Sequence, residues 1–90
     1  ETKEQIAEFF QTMYGGSDRR LKKDIRLIDK SPSGLNIYSF KYIDSKYGEG
    51  TYQGVMSDEI PSDAVVVNSD GYDMVDYSGI DVDFKQIWVY

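Results

Sequence analysis

The most constraining feature of this sequence is that its 90 residues contain neither cysteine nor histidine. A chain of this length forms one small domain and buries only about 60–65% of its unfolded surface, so such domains commonly gain stability from disulfides, metal ions or self-association. The missing residue types exclude disulfides, thiolate nucleophiles, histidine-dependent triads and the usual zinc sites. Self-association is the remaining source of extra stability, and we expect an oligomer.

The composition is that of a folded domain, with 40% hydrophobic and 14% aromatic residues. Disordered chains are poorer in both classes. No apolar run approaches the roughly 20 residues that span a bilayer, and no signal peptide is visible, so we expect no membrane partner. The chain begins at Glu1 without a methionine, and we expect it to be a piece of a longer protein.

Charge is distributed unevenly along the chain. The net charge of −6 argues against general nucleic-acid binding. Six of the ten basic residues lie between positions 19 and 30, whereas the segment from Glu49 onwards carries nine acidic residues and one base, Lys85. This pattern indicates a basic segment that docks on the acidic half of the same domain. A phosphate-binding patch is a weaker alternative, because Gly15-Gly16 alone does not make a phosphate-binding loop.

The N-terminal segment, residues 2–14, has the pattern of an amphipathic helix. Thr2 and Gln5 form a capping box, and Gly15-Gly16 would end the helix. Apolar residues recur with a period of 3.6 and would form one stripe: Ile6, Phe9, Phe10, Met13 and Tyr14.

Beyond the glycines the apolar pattern changes towards a period of two, which predicts strands. Residues 35–43 are β-branched and aromatic on both faces and are expected to form a central strand. Further strands are predicted over 23–28 (where a helix is an alternative), 51–56, 64–67 and 72–77, with turns at 31–34 and 68–71 and a short helical turn at 57–60. The predicted fold class is therefore α+β, a small antiparallel β-sheet with an N-terminal amphipathic helix.

Nucleophilic chemistry without cysteine or histidine requires a hydroxyl group activated by lysine or a carboxylate. Ser17 stands out because it lies between the glycine pair and the basic segment that contains Lys22. A lysine acts as a base only when it is neutral, so its pKa must fall from near 10.4 to about 7–8. Burial and neighbouring cations both favour that fall. The alternative is that Ser17 only caps a turn and the basic residues face solvent.

The acidic and aromatic residues offer weaker candidates. Asp58 with Glu59, and Asp81 with Asp83, suggest paired carboxylates or a cation site, but their spacing matches neither an EF-hand nor a glycosidase, and surface charge is the better interpretation. The eight tyrosines would suit a sugar-binding face, although aromatic residues in strands more often lie in the core. We therefore expect neither a metal nor a cofactor.

Four strings of the sequence carry a family resemblance: SDRRLKKDI at 17–25, LNIYSFKYI at 35–43, YQGVMSDEI at 52–60 and GYDMVDYSGI at 71–80. In this order they resemble the intramolecular chaperone domain of phage endosialidases, tail fibres and spikes, also known as the peptidase S74 family. The resemblance implies a C-terminal domain that trimerises a fibre, assists the folding of its intertwined β-structure, and is released by serine–lysine autoproteolysis. Similar domains occur in the myelin regulatory factor, a membrane-tethered transcription factor.

Carried onto this chain, the resemblance implies that Ser17 is the nucleophile and Lys22 the base of a single-turnover serine peptidase. The scissile bond would lie beside Ser17. Attack by its Oγ on the Gly16 carbonyl closes a five-membered ring, whereas cutting Ser17–Asp18 would need a hydroxyl from elsewhere, such as a neighbouring chain. Residues 1–16 would be a helical segment upstream of the cut, and residues 17–90 the chaperone domain.

The implied partners are two further copies of the chain and the upstream fibre region of the same polypeptide, in the host cytoplasm during virion assembly. A trimer would raise the effective concentration of the fibre segments, and removing it would leave the folded fibre kinetically trapped. We hypothesise that Lys22 loses its water only at the subunit interface, which would couple cleavage to assembly. The alternatives are a non-cleaving trimeric cap and a receptor- or glycan-binding tip.

Overall fold

The computed structural model describes residues 14–88, which form seven strands joined by short turns. The strands are β1 (Tyr14–Gly16), β2 (Lys22–Lys30), β3 (Asn36–Tyr42), β4 (Thr51–Gly54), β5 (Val65–Val67), β6 (Asp73–Asp76) and β7 (Lys85–Ile87). Single 3₁₀ turns lie at Arg19–Leu21, Ser45–Tyr47, Ser57–Glu59, Ser62–Ala64 and Tyr77–Gly79. No α-helix occurs between residues 14 and 88, and nothing in that range is a helix able to span a membrane.

The strands form two antiparallel sheets, one with the order β1-β6-β5 and the other with the order β2-β3-β4-β7. The predicted small antiparallel β-structure is thus confirmed, although it is divided between two sheets. β3 lies between β2 and β4, as its apolar sequence indicates. The strand alternative for residues 23–28 is correct, and β2 extends beyond that range at both ends.

Tight turns connect the strands where the sequence predicted them. In the turn at 31–34, Gly34 N–H donates to the Ser31 carbonyl over 2.9 Å, and in the turn at 68–71, Gly71 N–H donates to the Asn68 carbonyl over 2.9 Å. Gly34 and Gly71 have φ angles of 96° and 86°. Glycine adopts this left-handed conformation without a Cβ clash, which explains why these turns follow local sequence signals.

The helix predicted over residues 2–14 lies outside the described residues except for Tyr14, and there the prediction is wrong. Tyr14 begins β1, and the glycine pair continues that strand instead of ending a helix. Gly15 pairs with Val75 and Gly16 with Met74 on β6. β6, which is distant in sequence, pairs with the backbone of Gly15 and Gly16. The local sequence pattern had assigned these two residues to the end of a helix.

The core consists of two adjoining clusters of buried apolar side chains. One contains Leu21, Phe40, Tyr42 and Met56, and the other contains Val55, Val75, Tyr77 and Val82. Val55 and Met56 are neighbours in sequence, follow β4 directly, and are both fully buried. This segment joins the two clusters and positions the candidate site described below.

Candidate active site

Ser17 is held in the interior immediately after β1, with a relative exposure of 0%. Its N–H donates to the Asp73 carbonyl over 3.2 Å, and its carbonyl accepts from the Ser57 N–H over 2.8 Å. Its Oγ shares a hydrogen bond of 3.0 Å with Tyr77 Oη. Both the backbone and the hydroxyl of Ser17 are therefore fixed by groups that are distant in sequence.

Lys22 opens β2 and is also buried, with a relative exposure of 5%. Its Nζ donates to the Val55 carbonyl over 2.9 Å, lies 3.8 Å from Met56 Sδ, and lies 4.0 Å from the centroid of the Phe40 ring. Among the described residues, no carboxylate forms a salt bridge with this amine. A largely apolar environment with little access to solvent favours the neutral form of a lysine over the charged form.

Burial lowers the pKa of Lys22 from its ordinary value of 10.5 to about 7, and the Arg19 guanidinium contributes in the same direction. The carboxylates of Asp18 and Asp58 oppose the change but do not outweigh it. A substantial fraction of Lys22 is therefore neutral near pH 7, as a general base requires. Because the single chain already buries Lys22, its desolvation does not depend on subunit contacts, contrary to the expected coupling.

The two predicted catalytic residues are connected through Val55 and Tyr77. Tyr77 Oη accepts a hydrogen bond of 3.1 Å from the Val55 N–H while it contacts Ser17 Oγ, and Lys22 binds the carbonyl of the same valine. Within residues 14–88, no hydrogen bond joins Ser17 directly to Lys22. Val55 thus lies between the two predicted catalytic residues. Its carbonyl binds the Lys22 amine, and its N–H binds Tyr77, which in turn contacts the Ser17 hydroxyl.

Tyr77 is a site residue that the sequence analysis missed. Its side chain is buried, and burial raises the pKa of its hydroxyl despite the hydrogen bonds from Ser17 and Val55. Sixty residues separate Tyr77 from Ser17, so no local spacing connects them. The resemblance string at 71–80 contains Tyr77 but assigns it no role.

Tyr42 is the second residue that the sequence did not single out. Its Oη donates to the Gly16 carbonyl oxygen over 2.9 Å. Burial strongly raises the pKa of this hydroxyl, so it remains a hydrogen-bond donor at neutral pH. The carbonyl immediately before Ser17 is therefore in contact with a permanent donor.

The side chain of Asp18 stabilises the turn that lies between Ser17 and Lys22. Its nearly buried carboxylate accepts from the Arg20 backbone N–H over 2.9 Å, from Arg20 Nη2 over 2.7 Å and from the Asp73 N–H over 3.1 Å. The Arg20 side chain is the main reason why the pKa of Asp18 falls well below its usual range. Asp18 therefore acts in this structure as the cap of the Arg19–Leu21 turn.

Within the basic segment, Arg19 docks on the acidic half of the domain as the charge pattern predicted, whereas Arg20 pairs with its neighbour Asp18. Arg19 Nη2 lies 3.2 Å from Asp58 Oδ1 and 3.3 Å from Glu59 Oε2. These exposed contacts contribute little to stability individually. They do place the Arg19 cation where it lowers the pKa of Lys22.

The weaker candidates have structural roles in the described residues. Asp81 accepts two hydrogen bonds of 2.8 Å from Ser33, and no group of three or more potential metal-ligating side chains occurs in the described part of the chain. Several tyrosines pack against other aromatic rings: Tyr42 and Tyr52 lie 5.5 Å apart, and Tyr77 lies 5.5 Å from Phe84. These rings pack in or against the two core clusters.

Comparisons with protein-family models, with curated proteins and with solved structures found no match to this chain. Support for a function therefore comes from the resemblance of the sequence strings and from the contacts around Ser17 and Lys22.

Proposed function

We propose that this chain is a self-cleaving trimerisation domain of a phage fibre or spike protein, in which Ser17 and Lys22 cut the backbone beside Ser17 during assembly in the host cytoplasm. The observation that carries the proposal is the burial of Lys22 next to the segment that fixes Ser17, with a lysine pKa of about 7. Building a small domain around a buried amine costs stability, and such a cost is typical of functional sites.

The chemistry requires Ser17 Oγ to exchange its hydrogen bond with Tyr77 for one with Lys22. The neutral amine then accepts the hydroxyl proton as Oγ attacks a backbone carbonyl. Trimer assembly would promote this exchange of hydrogen bonds. Assembly would not be needed to exclude water from Lys22, because a single chain already buries that side chain. This is how trimer formation would trigger the cut.

Self-association is supported by apolar side chains on one outer strand of each sheet. On β5, Val66 and Val67 are 46% and 69% exposed, and on β2, Leu27 and Ile28 are 54% and 44% exposed. Exposed apolar residues at a free sheet edge favour association with another chain. We propose that these edges contribute to a homotrimer.

A second candidate is a trimeric cap that does not cleave. The observation that favours it is the hydrogen bond of Ser17 Oγ to Tyr77, since none joins Ser17 to Lys22 in the described residues. In that case the buried serine and tyrosine would be structural.

Intact-mass measurement over time distinguishes the two candidates. We would compare the wild-type chain, alone and within a longer fibre precursor, with Ser17→Ala and Lys22→Met. The matched controls are Ser69→Ala and Lys23→Met, because Ser69 and Lys23 are exposed. Self-cleavage predicts fragments that divide the chain beside Ser17 in the wild type and both controls, and none in the two site variants. An intact wild type in its assembled state would exclude cleavage and favour the cap.

Assembly is tested separately by sedimentation velocity. We expect a trimer for Ser17→Ala, and weaker association for the same protein carrying Val67→Lys. Ser69→Lys is the control because it adds the same charge at an exposed turn outside β5. A monomer at concentrations of tens of micromolar would contradict the trimer but not the cleavage chemistry.

A further inference from the structure

Resting on the proposed self-cleavage, we infer that Tyr42 is a catalytic residue that selects the Gly16–Ser17 peptide bond by donating a hydrogen bond to the Gly16 carbonyl oxygen. That oxygen accumulates negative charge when a nucleophile adds to the carbonyl carbon. The Oη–O distance to the resting carbonyl is 2.9 Å, so a donor already contacts the oxygen atom on which the negative charge would develop.

The donor is held in place by its surroundings. Tyr42 is the last residue of β3, and its ring lies edge-on to Phe40 at 5.4 Å and 5.8 Å from the ring of Tyr47. The Leu21 side chain belongs to the same cluster. A preoriented donor in a water-poor environment stabilises developing charge more than a mobile one does, because nothing has to reorganise during the reaction.

The neighbouring peptide bond, Ser17–Asp18, also has a donor, but Ser17 Oγ is poorly placed to attack it. The Ser17 carbonyl accepts from the Ser57 N–H over 2.8 Å. However, attack by Ser17 Oγ on its own carbonyl would close a strained four-membered ring. Attack on the Gly16 carbonyl closes a five-membered ring made of Gly16 C and the N, Cα, Cβ and Oγ atoms of Ser17. Of the two carbonyls that flank the Ser17 nitrogen and the Asp18 nitrogen in the described structure, that of Gly16 combines a hydroxyl in reach, Ser17 Oγ, with a side-chain donor, Tyr42 Oη.

The reaction is an N→O acyl shift followed by hydrolysis. The Ser17 hydroxyl gives its proton to neutral Lys22 as Oγ bonds to the Gly16 carbonyl carbon, and the carbonyl electron pair moves onto the oxygen that Tyr42 contacts. When the pair returns, the C–N bond to Ser17 breaks and the Lys22 ammonium protonates the leaving nitrogen. Water then hydrolyses the Gly16 ester, leaving a carboxyl group on Gly16 and regenerating the Ser17 hydroxyl.

The test compares cleavage rates of the full chain in the wild type, Tyr42→Phe and Tyr52→Phe. Tyr52 belongs to the same aromatic cluster, and its hydroxyl makes no hydrogen bond to Gly16 or Ser17 in the described structure. We expect Tyr42→Phe to slow cleavage about 100- to 1,000-fold and Tyr52→Phe to stay near the wild-type rate. Circular dichroism confirms that each variant is folded.

A second measurement needs no variant. Hydroxylamine captures the ester, and mass spectrometry should find a hydroxamate on Gly16, at the end of the 1–16 peptide. A fragment ending in Ser17, or a folded Tyr42→Phe protein that cleaves at the wild-type rate, overturns the role of Tyr42 while leaving self-cleavage intact. A wild type that never cleaves overturns the proposed function, and this inference with it.

Discussion

The burial of Lys22 makes a quantitative prediction about stability as a function of pH. The pKa of Lys22 falls from 10.5 to about 7 on folding, and each pKa unit corresponds to about 1.4 kcal/mol. Folding therefore disfavours the charged form of Lys22, relative to the neutral form, by about 5 kcal/mol. Between these two values the unfolded chain binds a proton that the folded chain does not. The free energy of unfolding therefore rises with pH in this interval, and Lys22 contributes an increase of about 2 kcal/mol between pH 7 and pH 9.

The perturbation that isolates this effect is Lys22→Met, which keeps an unbranched side chain but removes the titrating amine. Both proteins should carry Ser17→Ala, so that no cleavage interferes. Unfolding in urea, followed by far-UV circular dichroism at constant ionic strength, gives the free energy of unfolding at each pH. The two proteins share every other titratable group, so the difference between the two curves isolates the effect of Lys22.

From pH 7 to pH 9, we expect the free energy of unfolding of the Ser17→Ala protein to rise by about 2 kcal/mol more than that of the protein that carries both Ser17→Ala and Lys22→Met. Lys23→Met is the matched control, because Lys23 is an exposed lysine next to Lys22 on the same strand. Parallel curves with and without Lys22 would refute the argument. They would mean that Lys22 remains charged in the folded chain and cannot serve as a base near neutral pH.

Three further predictions concern the groups around Ser17. Tyr77→Phe removes the hydrogen-bond partner of Ser17 Oγ and should lower the free energy of unfolding by about 1–3 kcal/mol in urea titrations. Gly54→Ala places a Cβ 2.5 Å from Tyr77 Oη and should displace that hydroxyl, so both stability and cleavage should fall. Asp18→Asn removes a carboxylate whose pKa Arg20 holds low, so the wild type should lose melting temperature on acidification below about pH 4 more steeply than this variant does.

Two of these predictions have a matched control, and the third has a defined contrary result. Tyr47→Phe removes a half-buried hydroxyl that does not contact Ser17, and should change stability less than Tyr77→Phe. Gly79→Ala adds a Cβ with no atom within 4 Å and should be tolerated, in contrast to Gly54→Ala. For Asp18, an acid-melting profile of the asparagine variant that matches the wild type would contradict the role of the carboxylate.

Strands β2 to β6 and the turns at 31–34 and 68–71 were accessible from the sequence because their signals are local, whereas β1 and β7 were not predicted. β-Branched and aromatic residues on both faces predicted β3, and glycine and asparagine at 68–71 predicted the turn between β5 and β6. Tyr14 was assigned to a helix and the glycine pair to its end, whereas these residues form β1, because Gly15 and Gly16 pair with β6, about sixty residues further along the chain. Local breaker signals cannot register such a partner.

The sequence by itself limited the nucleophilic chemistry that the chain could support: without histidine and cysteine it requires a hydroxyl activated by lysine or a carboxylate, and the family resemblance pointed to Ser17 and Lys22. Only the tertiary structure decided that Lys22 is buried against Val55, that Tyr77 holds the hydroxyl, and that Tyr42 contacts the Gly16 carbonyl. These contacts join residues 33, 60 and 26 positions apart. The pKa of Lys22 depends on which distant atoms exclude water from its amine, and the hydrogen bond to the Gly16 carbonyl depends on where the fold places Tyr42. Both are set by packing between segments that are far apart in the sequence.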